Sequence, residues 1–73
     1  MKYLDSETVI CVGDRVVYAG SRGVIVFIID DDSYSGKYEK AHWSYLNKGL
    51  GVELDDGTLI HFDSPDEDLE LVK

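Results

Sequence analysis

Short runs of apolar residues, separated by glycine and acidic residues, recur along the chain. The first clear run, Arg15-Val16-Val17-Tyr18, is followed by a turn over 19–23 that contains two glycines and then by six apolar residues over 24–29. Runs rich in valine and isoleucine and bounded by glycine and aspartate are typical of β-strands joined in a hairpin. The pattern therefore predicts strands over 15–18 and 24–30 and an all-β domain.

The remaining predicted elements are short. In chain order they are an edge strand over 9–12, strands over 51–54 and 58–62, a helical turn over 63–68 and a last strand over 69–72. Asp55-Asp56-Gly57 joins the two middle strands, because Asp-Gly is a strong signal for a tight turn. Pro65 and its acidic neighbours favour the helical turn. The 73 residues contain no linker or repeat, which predicts a single domain over 1–73.

Residues 31–48 form a long excursion between the second and third core strands, and aromatic residues are concentrated in it. Connections of this length in a compact domain are usually functional or carry structure of their own. The spacing of apolar residues predicts a short helix over 37–47 that ends at Gly49. Tyr38, His42, Tyr45 and Leu46 then share one face of that helix.

The run over 24–29 is apolar on both faces. Strict alternation places Val24, Val26 and Ile28 on one side and Ile25, Phe27 and Ile29 on the other. A bare patch of this size favours aggregation, so something must cover it. The excursion, a second copy of the chain in a homodimer, and a partner protein are the three candidate covers. A bent strand that buries both faces inside the domain is a fourth explanation.

Two groups of residues are candidates for binding. They are the ring-bearing residues of the excursion and a carboxylate triplet near the chain's end: Tyr34, Tyr38, His42, Trp43, Tyr45, Asp66, Glu67 and Asp68. Tyrosine and tryptophan dominate the hot spots of protein interfaces. The same rings also suit a lid over the surplus apolar strand face, or a cage for a methylated lysine or arginine held by cation–π attraction.

Negative charge is unevenly placed. The chain has a net charge of −8, and from Gly51 onward eight acidic residues face a single lysine, Lys73. Such a segment repels phosphate backbones and attracts cationic surfaces. It predicts a basic protein partner and disfavours direct binding to nucleic acid. Acidic turns also keep a small β protein soluble, which is the alternative explanation.

Cys11 is the single cysteine, so no disulfide forms within the chain. Between Ile10 and Val12 it is expected to be buried and to act as a small hydrophobe in a reducing compartment. The first residues lack the apolar centre of a signal peptide, and no apolar run approaches the ~20 residues of a membrane helix. A cytoplasmic protein without membrane contact is therefore expected.

Catalytic and metal-binding patterns are weak. Residues 31–36 resemble the first half of a calcium loop, but His42 stands where a bidentate glutamate is needed. His42, His61 and Asp63 lack a defined zinc spacing, and strand alternation alone produces a pair such as His61 and Asp63. The sequence shows no nucleophile motif, phosphate loop or paired-carboxylate signature. We therefore expect no enzyme activity, no cofactor and no metal.

The order of two hairpins, an excursion, a helical turn and a final strand resembles the SH3-like barrels. That resemblance implies a small barrel of five to six strands with one long excursion, containing a short helix, between strands 2 and 3. Gly13-Asp14-Arg15-Val16-Val17, with Gly23-Val24-Ile25, is similar to the KOW motif of ribosomal and transcription proteins. Gly51-Val52-Glu53-Leu54-Asp55, with Phe62, is similar to part of a CAP-Gly domain, although the GKNDG signature is absent.

Two functional hypotheses follow. The leading one is a non-enzymatic protein-binding module, resembling small acidic immunity or inhibitor proteins that cover the basic site of a toxin or nuclease. The alternative is a KOW-like accessory domain of the transcription or translation apparatus. That alternative requires a clustered basic face, for which the candidates are Arg15, Arg22, Lys37, Lys40 and Lys48.

Overall fold

The computed structural model describes residues 1–4, 7–36 and 38–72. In these residues six β-strands form one antiparallel sheet, with a short α-helix and a 3₁₀ turn. In chain order the elements are β1 (Arg15–Tyr18), β2 (Ser21–Ile28), β3 (Ser33–Tyr34), α1 (Lys40–Trp43), the 3₁₀ turn (Ser44–Leu46), β4 (Leu50–Leu54), β5 (Leu59–Phe62) and β6 (Leu69–Leu71). The prediction of an all-β domain is confirmed.

The sheet is strongly curled. Its strand order is β5-β4-β2-β1-β6, and β3 pairs separately with β2. The rings of Tyr18 in β1 and Phe62 in β5 meet edge to face, with centroids 5.0 Å apart. In a flat sheet, three strand spacings would separate β1 from β5 by about 14 Å. The described strands therefore curve around a common core, but β5 and β6 do not pair to close a barrel.

A two-residue turn joins β1 to β2. Tyr18 pairs with Ser21, and the two residues between them have positive φ angles, 50° at Ala19 and 87° at Gly20. Positive φ at both central positions is typical of a type I′ turn, whose twist matches that of the two strands. The turn is shorter than predicted, because residues 21–23 pair with β1 instead of forming part of a loop.

A β-bulge in β2 breaks the alternation that the sequence predicts. Ile25 pairs with Val52 and Phe27 pairs with Gly51, which leaves Val26 as the extra residue. Ile25 and Ile28 consequently face the first hydrophobic cluster, whereas Val26 and Phe27 face the second. From Val24 to Ile28, both faces of β2 are buried or partly buried within the chain.

The first hydrophobic cluster fills the concave side of the sheet and includes residues of the N-terminal segment. Its buried members are Tyr3, Ile10, Val16, Ile25, Ile28, Leu50, Val52, Phe62 and Leu69. The predicted strand over 9–12 is wrong, because this segment forms a single bridge between Lys2 and Val9. Ile10 is buried as an irregular residue, and Cys11 is exposed rather than buried as predicted.

One carboxylate anchors this N-terminal segment. An oxygen of Asp14 accepts hydrogen bonds from the Tyr3 hydroxyl and from the Cys11 backbone N–H, both at 2.9 Å. Burial, followed by this bond to Asp14, raises the pKa of Tyr3 well above its ordinary value. The Cys11 backbone N–H is therefore bonded to a side chain within a turn and not to a neighbouring strand.

The predicted helical turn over 63–68 is also wrong. The segment contains bends and one turn, in which the Leu69 N–H donates to the Asp66 carbonyl at 3.0 Å. The Asp66 carboxylate accepts the Asp68 N–H at 2.8 Å. Aspartate side chains that bond to nearby backbone in this way compete with helix formation.

Candidate functional site

The excursion folds back over the outer face of β2 and forms the second cluster. Its buried centre is Val26, Phe27 and Tyr38, and the partly buried residues packed around it are Val24, Ile29, Tyr34, Trp43, Leu46 and Leu59. Trp43 stacks on Phe27 with centroids 5.2 Å apart and ring planes 21° apart. The excursion thus covers the apolar face of β2. A homodimer stays a prediction, and its interface would have to use residues other than this covered face.

Space for the Phe27 ring exists because residue 51 is a glycine. A Cβ built at Gly51 would lie 2.3 Å from Cε2 of Phe27, well inside contact distance. Gly51 pairs with Phe27 across β2 and β4, so the ring lies directly over the glycine backbone. A missing side chain on β4 therefore determines where the central ring of the second cluster lies.

Two polar contacts fasten the excursion to the sheet. The Tyr38 hydroxyl donates a 2.6 Å hydrogen bond to Oε2 of Glu53 in β4. Burial and this bond raise the pKa of Tyr38 to about 12. At the surface, Nζ of Lys40 lies 2.9 Å from Oδ1 of Asp32, and that hydrogen bond raises the pKa of Lys40. The Tyr38 ring is nearly buried, whereas the Lys40 and Asp32 side chains are exposed, so the hydrogen bond of Tyr38 is the stronger of the two contacts.

The ring-bearing candidates of the excursion divide into two sets. Tyr38 is 8% exposed, and Tyr34 and Trp43 are partly buried against Phe27, whereas His42 is exposed and Tyr45 is 69% exposed. The structure therefore brings three candidates together as a lid and leaves two in solvent. Whether any of them binds a partner stays a prediction. A methyl-lysine cage needs ring faces around an open cavity, but the three lid rings pack against Phe27.

The helix face predicted for the excursion is wrong. α1 has four residues and passes into the 3₁₀ turn at Ser44, so the angular period changes within the segment. As a result Trp43, which was not on the predicted face, packs on Phe27, while His42 and Tyr45 face solvent. The helical segment ends at Leu46, with Asn47 (φ 71°) as its C-cap residue, before the predicted end at Gly49. Lys37, where the predicted helix begins, lies outside the described residues.

Acidic residues occupy both ends of β5. We call them the two acidic segments: the turn over 55–57, which precedes β5, and the connection over 63–68, which follows it. Asp55, Asp56, Asp63, Glu67 and Asp68 are exposed, and Asp66 is partly buried. Hydrogen bonds from Thr58, the backbone N–H foremost, hold the pKa of Asp56 below its ordinary value.

Basic residues are sparser. Arg15 and Arg22 are exposed on the same face of the β1–β2 hairpin and both line a cleft of about 90 Å³ with Asp55 and Val72. A larger, open cleft of about 190 Å³ lies between Arg22 and the first acidic segment. Lys40 is paired with Asp32, and Lys37 lies outside the described part of the chain. Lys48, the remaining basic candidate, is exposed directly before Gly49.

The histidine and carboxylate candidates for chemistry do not assemble into a site. Nδ1 of His61 lies 3.8 Å from Oδ1 of Asp63, and Nε2 lies 2.9 Å from the carbonyl oxygen of Lys48. That second contact holds the residue before Gly49, which is a structural role. Across residues 1–4, 7–36 and 38–72, no three histidine, cysteine, aspartate or glutamate side chains are placed to hold a metal ion.

Sequence reasoning missed Glu53 and Gly51, the two residues of β4 that position the lid. The available signal was a glutamate between the apolar residues Val52 and Leu54 of a predicted strand. In the structure this glutamate pairs with Val24 and Leu59, residues that pack against the second cluster. A carboxylate among apolar neighbours needs a hydrogen-bond donor. The excursion contains several tyrosines, whose hydroxyl groups are suitable donors.

Comparisons with protein-family models, with curated proteins and with solved structures give no match. Within the described residues, no helix has the length and apolar character needed to cross a membrane.

Proposed function

We propose that this chain is a non-enzymatic protein-binding domain with an SH3-like fold, which engages a basic partner protein through its two acidic segments. The observation that carries the proposal is the placement of charge. Three exposed carboxylates, Asp55, Asp56 and Asp63, flank the edge strand β5, and Glu67 and Asp68 are exposed later in the second acidic segment, in a chain with net charge −8. Concentrated charge of one sign accelerates encounter with a complementary surface.

The SH3-like part of the proposal is supported by the strand order. β2, β4 and β5 are consecutive antiparallel neighbours, and the last strand, β6, returns to pair with β1. The contact between Tyr18 and Phe62 supports the curvature of a small barrel.

An inhibitor or immunity role in the cytoplasm is the form of the proposal that best suits the surface. Such a protein covers a cationic site by presenting carboxylates in its place. Tyr45 and His42 remain exposed on the excursion and are available as ring contacts for the partner. The exposed Cys11, without a disulfide, is compatible with a reducing compartment.

Charge reversal tests the proposal. Proteins captured from source lysate at low salt are identified by mass spectrometry, and the association rate of the main basic one is then measured. In the test variant Asp63, Glu67 and Asp68 become lysine, and Asp66 is retained because its side chain bonds to the Asp68 N–H. In the matched control Glu7, Asp31 and Glu39, which are exposed acidic residues elsewhere, become lysine.

Both variants change the net charge equally, so a difference between them reports the position of the charge. The test variant should associate at least about tenfold more slowly than the control, and the difference should shrink as salt rises. Equal rates for the two variants would contradict binding through the second acidic segment.

A KOW-like domain is the second candidate. The observation in its favour is that the two segments similar to the KOW motif, 13–17 and 23–25, are hydrogen-bonded to each other. The Gly13 N–H donates to the Ile25 carbonyl at 2.8 Å, and the Ile25 N–H donates to the Asp14 carbonyl at 3.0 Å. Arg15 and Arg22 both line the cleft of about 90 Å³. Capture of ribosomal or polymerase components that nuclease treatment releases would favour this candidate over the first.

A further inference from the structure

β5 ends the sheet with backbone groups that no described residue uses. Leu54 donates its N–H to the Thr58 carbonyl at 2.8 Å, and the same register pairs Val52 with Ile60 and Leu50 with Phe62. Hydrogen-bonded pairs alternate along an antiparallel ladder, so Ile60 and Phe62 bond to β4. Leu59 and His61 therefore direct their N–H and C=O groups away from the sheet, along its free edge.

The other end of the sheet is protected, whereas this edge is not. β6 has three residues, and a glutamate, Glu70, stands at its centre. Short length and charge are the usual means by which proteins keep an edge strand from pairing. The four residues of β5, Leu59-Ile60-His61-Phe62, include no lysine, proline or carboxylate. A strand added to the sheet would therefore be accepted at β5 and rejected at β6.

The charges at the ends of β5 select the occupant. Antiparallel pairing with β5 of a second copy would bring Asp55 and Asp56 of one chain against Asp63 of the other, and like charges in register destabilise a pair. An added strand with cationic ends would instead be attracted by these carboxylates. The carboxylates lie beyond both ends of a strand that spans about 14 Å, so cationic side chains about six residues apart would reach both acidic segments.

We propose that an extended segment of a basic partner adds to the free edge of β5 as a seventh strand. This segment has lysine or arginine at each end and a few β-branched or apolar residues between them. Its backbone bonds to Leu59 and His61, and its cationic ends contact Asp55 and Asp56 before β5 and Asp63 after it. The inference rests on the proposed function and specifies how the partner is held. Addition of a strand takes affinity from main-chain hydrogen bonds and specificity from the side chains at its ends.

A synthetic probe tests the mode of binding directly. The peptide Lys-Arg-Val-Thr-Val-Thr-Lys-Arg is titrated into ¹⁵N-labelled protein to about 1 mM, a concentration that detects weak binding. The control peptide keeps the central four residues and has glutamate at both ends. The basic peptide should shift the amide signals of Leu59 and His61 most strongly, and the acidic peptide should shift neither. An absence of shifts at these two amides, or shifts confined to β6 and the excursion, would overturn the proposal.

A pair of substitutions at one position isolates the main-chain bond. His61→Thr and His61→Pro both remove the imidazole contact to the Lys48 carbonyl, but threonine keeps the backbone N–H and proline lacks it. Proline is tolerated on an edge strand where the N–H faces solvent, so both variants should fold. His61→Pro should bind the basic peptide at least about tenfold more weakly than His61→Thr. Equal affinities would refute strand addition.

The outcomes separate this inference from the proposed function. If charge reversal at residues 63, 67 and 68 weakens the basic partner while His61→Pro does not, the acidic surface is correct and strand addition is wrong. If neither the charge variant nor the proline variant changes binding, both proposals fail. Should His61→Pro not fold, the amide map of the unsubstituted protein with the two peptides decides the question.

Discussion

At the scale of single residues, the contact between Tyr38 and Glu53 connects the excursion to the sheet. The hydroxyl lies 2.6 Å from the carboxylate, and the Tyr38 ring also packs beside Phe27 and Trp43. Tyr38 must stay neutral to donate this hydrogen bond. The contact therefore depends on pH in the alkaline range, where tyrosine ionises.

Tyr38→Phe tests that dependence. The folded-state pKa of about 12 lies above the ordinary value of 10.0, so the unfolded chain binds fewer protons in this interval. The stabilisation is complete below pH 10 and is lost as the pH rises through 12. Urea unfolding at neutral pH should show a loss of about 1 kcal/mol for Tyr38→Phe, together with a shallower decline of stability above pH 10.

Tyr45→Phe is the matched control, since Tyr45 is 69% exposed. It should leave both the neutral stability and the alkaline decline unchanged. An alkaline decline of the same slope in Tyr38→Phe and the unsubstituted protein would show that another group is responsible. Tyr3, whose pKa is also raised, accounts for the part of the decline that should persist in every variant.

At the scale of elements, the β1–β2 turn combines a suitable and an unsuitable residue. Type I′ turns need positive φ at both central positions, and Gly20 meets this requirement without cost. Ala19, at φ 50°, has a Cβ that disfavours the left-handed region. The turn over residues 19–20 thus forms because the strands on both sides pair well.

Ala19→Asn should stabilise the domain. Asparagine followed by glycine is the preferred pair for this turn, so the substitution should raise the free energy of unfolding by up to about 1 kcal/mol. For a domain of this size, that change corresponds to a melting temperature higher by roughly 4–8 °C. Ala19→Val should act in the opposite direction, because a β-branched residue is poorly tolerated at positive φ. Calorimetry of the two variants checks both signs, and a destabilised Ala19→Asn would contradict the turn type.

The elements that sequence predicted well are those with strong local signals. Arg15–Tyr18 and the pair of strands around Asp55-Asp56-Gly57 carry β-branched runs and a tight-turn dipeptide, and both are present. β3, with two residues, and α1, with four, are too short to be stable by propensity alone. They exist because Tyr34 and Trp43 pack on Phe27, a contact that no local pattern encodes.

The candidate site was predictable in composition and less so in arrangement. The acidic residues after Gly51 were identified from charge alone, and most of them are exposed in the structure. The division of the rings into a lid and an exposed pair depends on a helix that becomes a 3₁₀ turn at Ser44. The bulge at Val26 lies in an unbroken apolar run, where alternation gives no signal of where the register shifts.

At the scale of the whole molecule, two hydrophobic clusters share β2 as a common wall. Ile25 and Ile28 belong to one cluster, and Val26 and Phe27 belong to the other. The chain has 73 residues, so neither cluster alone would stabilise a domain. The excursion is thus part of the folded unit as well as the carrier of Tyr45 and His42.

Trp43→Ala measures how much the lid contributes. Loss of a buried tryptophan costs about 3–5 kcal/mol, and the partial burial of Trp43 places the expected loss near 2–3 kcal/mol. Urea unfolding followed by far-ultraviolet circular dichroism should remain a single transition at a lower midpoint. Tyr45→Ala should change stability by less than about 0.5 kcal/mol. A Trp43→Ala variant of unchanged stability would instead assign Trp43 to a partner surface.

The extra residue in β2 has a consequence for how this strand tolerates a change in length. Val26 has no partner in β4, so a gene shortened by that one codon would encode Ile25-Phe27-Ile28 as a regular strand. Each remaining side chain would keep its present orientation, and the loss would be limited to the packing of one valine and the hydrogen bond from the Ser35 N–H to its carbonyl. Val26 is thus an insertion that adds bulk to one side of the strand while leaving the facing of the others intact.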